Sequence, residues 1–372
     1  MRLTGILIFF AVLCLPALQT WTREVPAFTI DENRKLADIP TLAQFADPVN
    51  GYAAIERYFD DHYGLRDILI RLKTQIDFSV FDTSDRVHIG KDDWLFYRSV
   101  LDVEKPATER FFAANAAQVT VGIQSLATGL KARNQTLVLM PNFLGDVFYR
   151  EDLPRDIPRL PQPGSFQEAT QTWKALPGLI YIDSQAILWQ LKQHRQIFHK
   201  TDFHWNSPAA FEVARAMVDE IGKDSGRPGA TWDHPLKFEA RPYIGRESDF
   251  LPLFRQPDEL GLFVVPTWDM AAVTYRKDDG IFEYVSTKAN PDSHTLPSLC
   301  VVGDSFMDAF LETGYTSYFS HVYRVRWKGA ETLPTALAQF PHECRYVLVE
   351  FIETQAAAFT SLMNGARNLP LQ

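Results

Sequence analysis

The sequence predicts an α/β fold: a mainly parallel sheet with helices on both faces, plus a β-rich insertion at about 231–296. Three observations carry this. Short apolar runs of strand length, at Thr136–Met140, Leu179–Asp183, Leu299–Val302, His321–Arg326 and Tyr346–Phe351, alternate with stretches of helical length, the pattern of crossover-connected strands. The composition, 46% hydrophobic and 22% charged over 372 residues, is that of a packed globular protein, large enough for one big domain or two ordinary ones. Residues 231–296 break the alternation, being rich in Pro and aromatics, with a hairpin turn at Lys277-Asp-Asp-Gly280 between Ala272–Tyr275 and Ile281–Val285.

Taken in chain order, Arg2 precedes an uncharged apolar run, Gly5–Leu18, of 14 residues. A positive start and such a run mark an export signal. Extension to Trp21 reaches the length of a short signal anchor with the indole at the interface, while cleaved signal peptide stays the alternative for residues 1–22. The Leu before Cys14 spoils a lipoprotein reading. Residues 23–50 are polar and Pro-containing, a tether, and 51–372 form the folded domain. From Tyr52 to Phe81 apolar residues recur at three- and four-residue steps, which predicts one or two amphipathic helices broken near Tyr63-Gly64. Val87–Gly90 and Lys91–Tyr97 read as a hairpin. Helices are expected at about 112–132, 166–176 and 207–222, the last with Ser207 as N-cap and Pro208 at the first helical position. Further helices follow Ser305 and span Leu333–Phe340.

Net charge is -9, which argues against nucleic acid as partner, since phosphate binding needs clustered Lys and Arg. Three cysteines are too few for a disulfide scaffold or a multi-cysteine zinc site. His194, His199 and His204 fall at five-residue steps, but five residues turn a helix about 140° past one full turn. No carboxylate or thiolate completes a ligand set, so no metal is expected.

Two short motifs carry chemistry. Gly303-Asp304-Ser305-Phe306 follows an apolar strand and precedes a helix, which exposes a serine hydroxyl at the carboxyl rim of a parallel sheet. Alone, Gly-Asp-Ser is also ordinary turn chemistry. Asp202-x-His204-Trp205 lies in an extended loop, where residues two apart point the same way. The carboxylate can then bond Nδ1 and leave Nε2 as a base. Together the motifs supply a nucleophile, Ser305, a base, His204, and an orienting acid, Asp202. Glu350 and Glu353 are a weaker pair, because residues three apart at a strand end face different directions. Trp94, Tyr97, Trp205, Trp232, Trp268 and Trp327 include sugar-stacking candidates, most of them expected in the core.

These motifs, with Glu32-Asn-Arg34, Tyr58-Phe-Asp-Asp-His-Tyr-Gly-Leu-Arg-Asp67 and Gly90-Lys-Asp-Asp-Trp-Leu-Phe96 in the same order, resemble the SGNH-hydrolase superfamily. Within it the chain looks like the AlgJ/AlgX type of alginate O-acetyltransferase-like proteins. The resemblance covers most of the chain. It implies a periplasmic enzyme, tethered to the inner membrane by the N-terminal segment, that acetylates an exported polysaccharide through Ser305, His204 and Asp202. It implies no cofactor, and a membrane-bound O-acyltransferase as acetyl donor partner. A carbohydrate acetylesterase with the same triad, or an idle polysaccharide-binding or assembly protein, are the alternative functions.

An SGNH chain starts with the Gly-Asp-Ser strand and ends with the Asp/His loop, whereas here the loop comes first. A circular permutation reconciles them. With Leu299–Val302 as strand one, then His321–Arg326, Tyr346–Phe351, Thr136–Met140 and Leu179–Asp183, the expected sheet order is 2-1-3-4-5. The superfamily's Asn after strand three is absent, since Ile352-Glu-Thr-Gln355 stands there. Oxyanion candidates are therefore the Ser305 and Phe306 N–H groups, with Arg326 or Arg324. Trp205 and Asn142 are candidate substrate contacts, although Asn142 stands where the family often carries Lys. Cys300 and Cys344 open neighbouring strands, within disulfide reach, and export permits oxidation. The chain ends too soon after Phe351 for an added carbohydrate-binding module, so the membrane-tethered form is expected.

Overall fold

The computed structural model describes every residue except 1, 27–34, 48, 156, 158, 228–236, 247–249, 266–272, 279, 287–294 and 371–372. Glu32-Asn33-Arg34, Trp232 and Trp268 therefore lie outside the described residues. The strands, in chain order, are β1 (Val87–Ile89), β2 (Leu95–Tyr97), β3 (Thr136–Asn142), β4 (Leu179–Tyr181), β5 (Lys237–Tyr243) and β6 (Glu259–Val265). They continue with β7 (Val273–Asp278), β8 (Ile281–Ser286), β9 (Leu299–Gly303), β10 (His321–Arg326) and β11 (Tyr346–Ile352).

The central sheet has the order β4-β3-β11-β9-β10-β8-β7. Its first five strands are parallel, and numbered from the Gly-Asp-Ser strand they follow the expected 2-1-3-4-5. One row across them runs Ile180, Val138, Leu348, Val301, Arg324. Every residue of β9 is buried, because helices cover the sheet on two faces. The inserted segment then adds something the sequence did not foretell. Its hairpin β7–β8 pairs antiparallel with β10 and extends the main sheet, while β5 and β6 form a separate two-stranded ribbon.

The long helix is Lys105–Ala132, seven residues longer at its start than the apolar periodicity indicates. Pro106 sits in its first turn, where a missing N–H costs nothing, and a π-helical turn over Ser99–Glu104 leads into it. Val119, Ile123, Leu126 and Leu130 form its fully buried stripe. Gly122 lets the backbone of Leu362 approach so closely that a Cβ there would lie 1.9 Å from its carbonyl oxygen. The helix Ser207–Asp224 corrects one expectation: its N-cap is Asn206, whose side chain accepts from Ala209 N–H, and Ser207 is already helical. Ser207 instead donates to Glu312, 3.1 Å away. Near the N-terminus, the helix Arg2–Thr22 holds a 19-residue stretch of mean hydropathy 1.8, Thr4–Thr22, with none of it buried.

Cys300 and Cys344 form a disulfide with Cα atoms 5.9 Å apart. Cross-ladder pairs are awkward in parallel sheets, and the awkwardness is avoided here because Cys344 precedes β11 in a turn. Non-reducing alkylation of the folded protein is expected to modify Cys14 alone. Replacing both bridged cysteines by Ser is expected to lower unfolding free energy by about 2–4 kcal/mol, measured by denaturant titration.

Candidate active site

The carboxyl ends of β9, β10 and β11 meet at one rim, with Gly303 beside Arg326 and Ile352 beside Asn142. Gly303 is required there: a Cβ would stand 2.8 Å from Glu350 Oε2 and 2.6 Å from Met307 Cγ. Asp304 builds the turn that follows. Its Oδ1 accepts from Phe306 N–H at 2.9 Å and its Oδ2 from Ile352 N–H at 2.8 Å. Ser305 is thus lifted onto the start of the helix Phe306–Glu312, with no capping bond to hold its hydroxyl.

The other motif comes from the loop between the helices Ser184–Lys192 and Ser207–Asp224. A bridge between Phe198 and Trp205 pinches this loop, so Asp202 and His204 project from a tight bend. Trp205, 1% exposed, pins the bend to the turn that carries Ser305. Its Nε1 donates to Phe306 O at 3.0 Å, and its ring stacks on Phe310 at 5.3 Å. Two segments 101 residues apart in sequence thereby share one surface.

The result is a continuous relay. His204 Nδ1 lies 2.6 Å from Asp202 Oδ1, and His204 Nε2 lies 2.8 Å from Ser305 Oγ. One tautomer satisfies both bonds, with Nδ1–H donating to Asp202 and Nε2 accepting from Ser305. Asp202 is otherwise clamped by the β5 segment: Tyr243 donates its hydroxyl to Oδ2 at 2.7 Å and Arg246 its backbone N–H at 3.2 Å. Burial alone raises the Asp202 carboxyl, but the bonds from His204 and Tyr243 outweigh it and hold the group below its usual range. Its ionised form therefore stabilises the fold above about pH 4, and that contribution fades as pH falls below this.

A second layer holds the clamp. Glu259 on β6 accepts from the N–H groups of Lys200 and Thr201 and from the Thr201 hydroxyl, at 2.7–2.9 Å. His199 stacks on Tyr243 at 3.9 Å. Tyr243 and Glu259 have no local signature in the sequence. A Gly two residues after the tyrosine is the one hint, since Gly245 touches the Thr201 backbone where a Cβ would lie 2.0 Å from its oxygen. Tyr243→Phe is expected to lower kcat/KM by about threefold to tenfold, the net worth of one ordinary hydrogen bond. It leaves Asp202 more negative charge to share with the imidazole, so the acid limb of the profile moves to higher pH; an unmoved limb overturns this.

The relay opens into a cleft of about 240 Å³, bordered by Tyr243, Arg246, Phe263, Asp308 and Arg326. Arg326 is half exposed and 3.5 Å from Asp308, so its guanidinium stands at the cleft. Arg324 is buried and donates to Asp304 O and to Asp308, a scaffold contact. Phe306 N–H, an expected oxyanion candidate, is committed to Asp304, whereas the Ser305 N–H has no acceptor among the described residues. After β10, the N–H groups of Lys328 and Gly329 bond Thr332 Oγ1 instead.

Asn142 lies away from the cleft. It is fully buried and donates to Glu350 Oε1 at 2.7 Å. Glu350 and Glu353 do face different ways: Glu350 accepts from Asp304 N–H at 2.8 Å, and Glu353 pairs with buried Lys105 at 2.9 Å. Burial pushes Glu353 up to about 7 against the pull of Lys105. Trp94, Trp205 and Trp327 are all buried, and Tyr97 stacks on Phe250. His199, close to Glu259, belongs to the clamp, and no cluster of three metal-ligating side chains forms among the described residues.

Comparison with known proteins gives the chain a family. The family model described as an SGNH hydrolase-like domain, acetyltransferase AlgX, matches residues 87–310. A Pseudomonas syringae pv. tomato protein named "Probable alginate O-acetylase AlgJ" is 28% identical over 221 residues, covering 56% of this chain and 54% of its own. The Pseudomonas aeruginosa protein of the same name is 27% identical over 240 residues, covering 60% and 57%. The chain thus spans little more than half the length of the curated relatives it matches. Among solved structures, the O-acetyltransferase domain of Pseudomonas putida AlgJ is similar at 20% identity and a TM-score of 0.47, over 75% of this chain and 99% of that one.

Proposed function

We propose a function from one premise: the chain belongs to the AlgX family of SGNH hydrolase-like acetyltransferases. It is an O-acetyltransferase that moves acetyl groups onto hydroxyls of an exported, alginate-like polysaccharide. The observation that supports this reading is the Asp202–His204–Ser305 relay, at 2.6 and 2.8 Å, opening into a cleft. His204 Nε2 takes the hydroxyl proton as Ser305 Oγ attacks the carbonyl carbon of an acetyl ester. Negative charge develops on the carbonyl oxygen, and the Ser305 N–H faces it. The bond to the donor oxygen breaks, His204 returns the proton to that oxygen, and an acetyl-serine remains. A sugar hydroxyl then repeats the sequence in reverse, giving its proton to His204 and leaving with the acetyl group.

Asp202 stays ionised throughout and fixes the imidazole tautomer. Arg326 and Arg246 border the path of the acceptor, and Trp205 supports the site from within the core. Residues 1–22 serve as a signal anchor in the inner membrane, 23–50 as a tether, and 51–372 as the periplasmic enzyme. A membrane-bound O-acyltransferase supplies the acetyl groups. The matched sequence of alginate acetylases and the apolar N-terminal helix support this placement.

A second reading, carbohydrate acetylesterase, is favoured by one feature: the His204 side chain is 19% exposed, so water reaches the base. Full-length protein with an activated acetyl ester and a mannuronate oligosaccharide separates the two. Acetylated sugar supports transfer; free acetate alone, unchanged by added sugar, supports the esterase and overturns the transferase.

A further inference from the structure

Outside the first helix, exposed large apolar side chains concentrate between residues 36 and 81, with few elsewhere among the described residues. The helices Gly51–His62 and Arg66–Phe81 show the pattern most plainly. On the first, Tyr52, Ile55 and Phe59 make one exposed stripe at three- and four-residue steps. On the second, Leu69, Leu72, Ile76 and Val80 make another. At about 100° per residue the latter four fall within about 80° of arc.

The opposite side of that second helix is the one attached to the domain. Arg71 donates to Leu253 O at 2.6 Å, Gln75 Oε1 accepts from the N–H groups of Phe254 and Arg255, and Phe78 packs on the cluster around Leu251. The helix is therefore amphipathic in an unusual sense, docked on one side and bare and apolar on the other. Bare stripes of this kind mark an interaction surface.

Its position says what covers it. The turn joining the two helices touches the end of the apolar N-terminal helix: Gly64 N–H donates to Thr20 Oγ1 at 2.7 Å, and a Cβ on Gly64 would lie 2.4 Å from Pro16 O. Thr20 is near the close of the span-length stretch Thr4–Thr22, where a membrane helix meets headgroups. Residues 51–81 carry five acidic groups (Glu56, Asp60, Asp61, Asp67, Asp77) against four basic ones (Arg57, Arg66, Arg71, Lys73). Attraction to anionic lipid is thus no driver, and apolar area is.

We propose that these two helices seat their bare stripes in the headgroup–acyl boundary of the bilayer that the N-terminal helix enters, fixing how the catalytic domain stands on the membrane. The inference rests on the anchor reading above. The test uses the full chain, with Cys14 replaced by Ser, in phosphatidylcholine nanodiscs containing lipids spin-labelled near the headgroup end of the acyl chain. Single cysteines at Leu72, Ile76 or Val80 carry an environment-sensitive fluorophore; the bridged Cys300 and Cys344 do not react. Quenching of at least about twofold is expected at the three stripe positions, as for a helix buried a few ångström below the headgroups. Little is expected at Asp85→Cys on an exposed turn, and phosphatidylserine is expected to leave the result unchanged.

Unquenched stripe labels overturn the proposal, whether water or another protein covers them. A label at Val12 separates the two readings. Quenching at Val12 without quenching at the stripe sinks the seating alone; quenching at the stripe without Val12 sinks the anchor and with it the seating beside an inserted helix; neither quenched sinks both.

Discussion

Ser305→Ala is expected to abolish the acetyl-enzyme and to lower acetyl transfer by at least about 10³-fold. In the proposed mechanism the Ser305 hydroxyl forms the new ester bond, and among the described residues it is the side-chain hydroxyl bonded to His204 Nε2. Stability is expected to move by less than about 0.5 kcal/mol, because the Ser305 side chain makes no capping bond and, among the described residues, bonds only His204. Intact mass after incubation with an activated acetyl ester reads the first half-reaction, and sugar acetylation reads both. A variant that still gains the acetyl increment would place the nucleophile elsewhere. Asp202→Asn is expected to keep the geometry and lose about 10⁴-fold, by presenting the wrong tautomer. Since the Asp202 carboxyl is held below its usual range, it is not expected to contribute the acid limb of the rate profile.

Glu350→Leu is expected to cost about 3 kcal/mol of unfolding free energy, while Glu350→Gln costs little. Glu350 is fully buried beneath the Gly303–Ser305 turn and accepts from Asp304 N–H and from Asn142 Nδ2. Leucine fills a similar volume but leaves both donors without partners, and an unmet buried donor costs about 1–3 kcal/mol. Glutamine keeps an acceptor for Asp304, and its amide can donate to Asn142 Oδ1, which otherwise has no partner. Burial, reinforced by the neighbouring Asp304 carboxyl, pushes Glu350 well above the usual carboxylate range. The folded state therefore holds this proton where the unfolded chain has released it. Stability accordingly falls as pH rises above about 4.5, and Glu350→Gln is expected to flatten that slope. Denaturant midpoints of the three proteins across pH check both parts; equal slopes in wild type and Glu350→Gln would falsify the assignment.

The residues with a short-range signature were legible without coordinates. Asp202 and His204 are two apart in one loop, and Ser305 sits in a strand–turn–helix segment whose apolar run and glycine announce it. The five parallel strands could likewise be placed in order, because each is a run of strand length and the family resemblance supplied the permutation. Other features had no such mark. Tyr243 meets Asp202 across 41 residues, and Glu259 meets Thr201 across 58. The hairpin β7–β8 read as a hairpin but not as an extension of the main sheet. The helix is capped by Asn206 and not by Ser207, whose hydroxyl donates instead to Glu312, distant in sequence. Phe306 N–H, an oxyanion candidate by position, is taken by the carboxylate two residues before it.

By itself, then, the sequence determined the five parallel strands and the longer helices, and singled out Asp202, His204 and Ser305 as candidates. Periodicity, turn chemistry and spacing act over a few residues, so they are written locally. Only the tertiary structure decided which N–H groups remain free, which carboxyls lose their water, and which distant tyrosine braces the acid. Those outcomes depend on competition among partners brought together by packing, where each buried donor takes the nearest acceptor that the fold supplies.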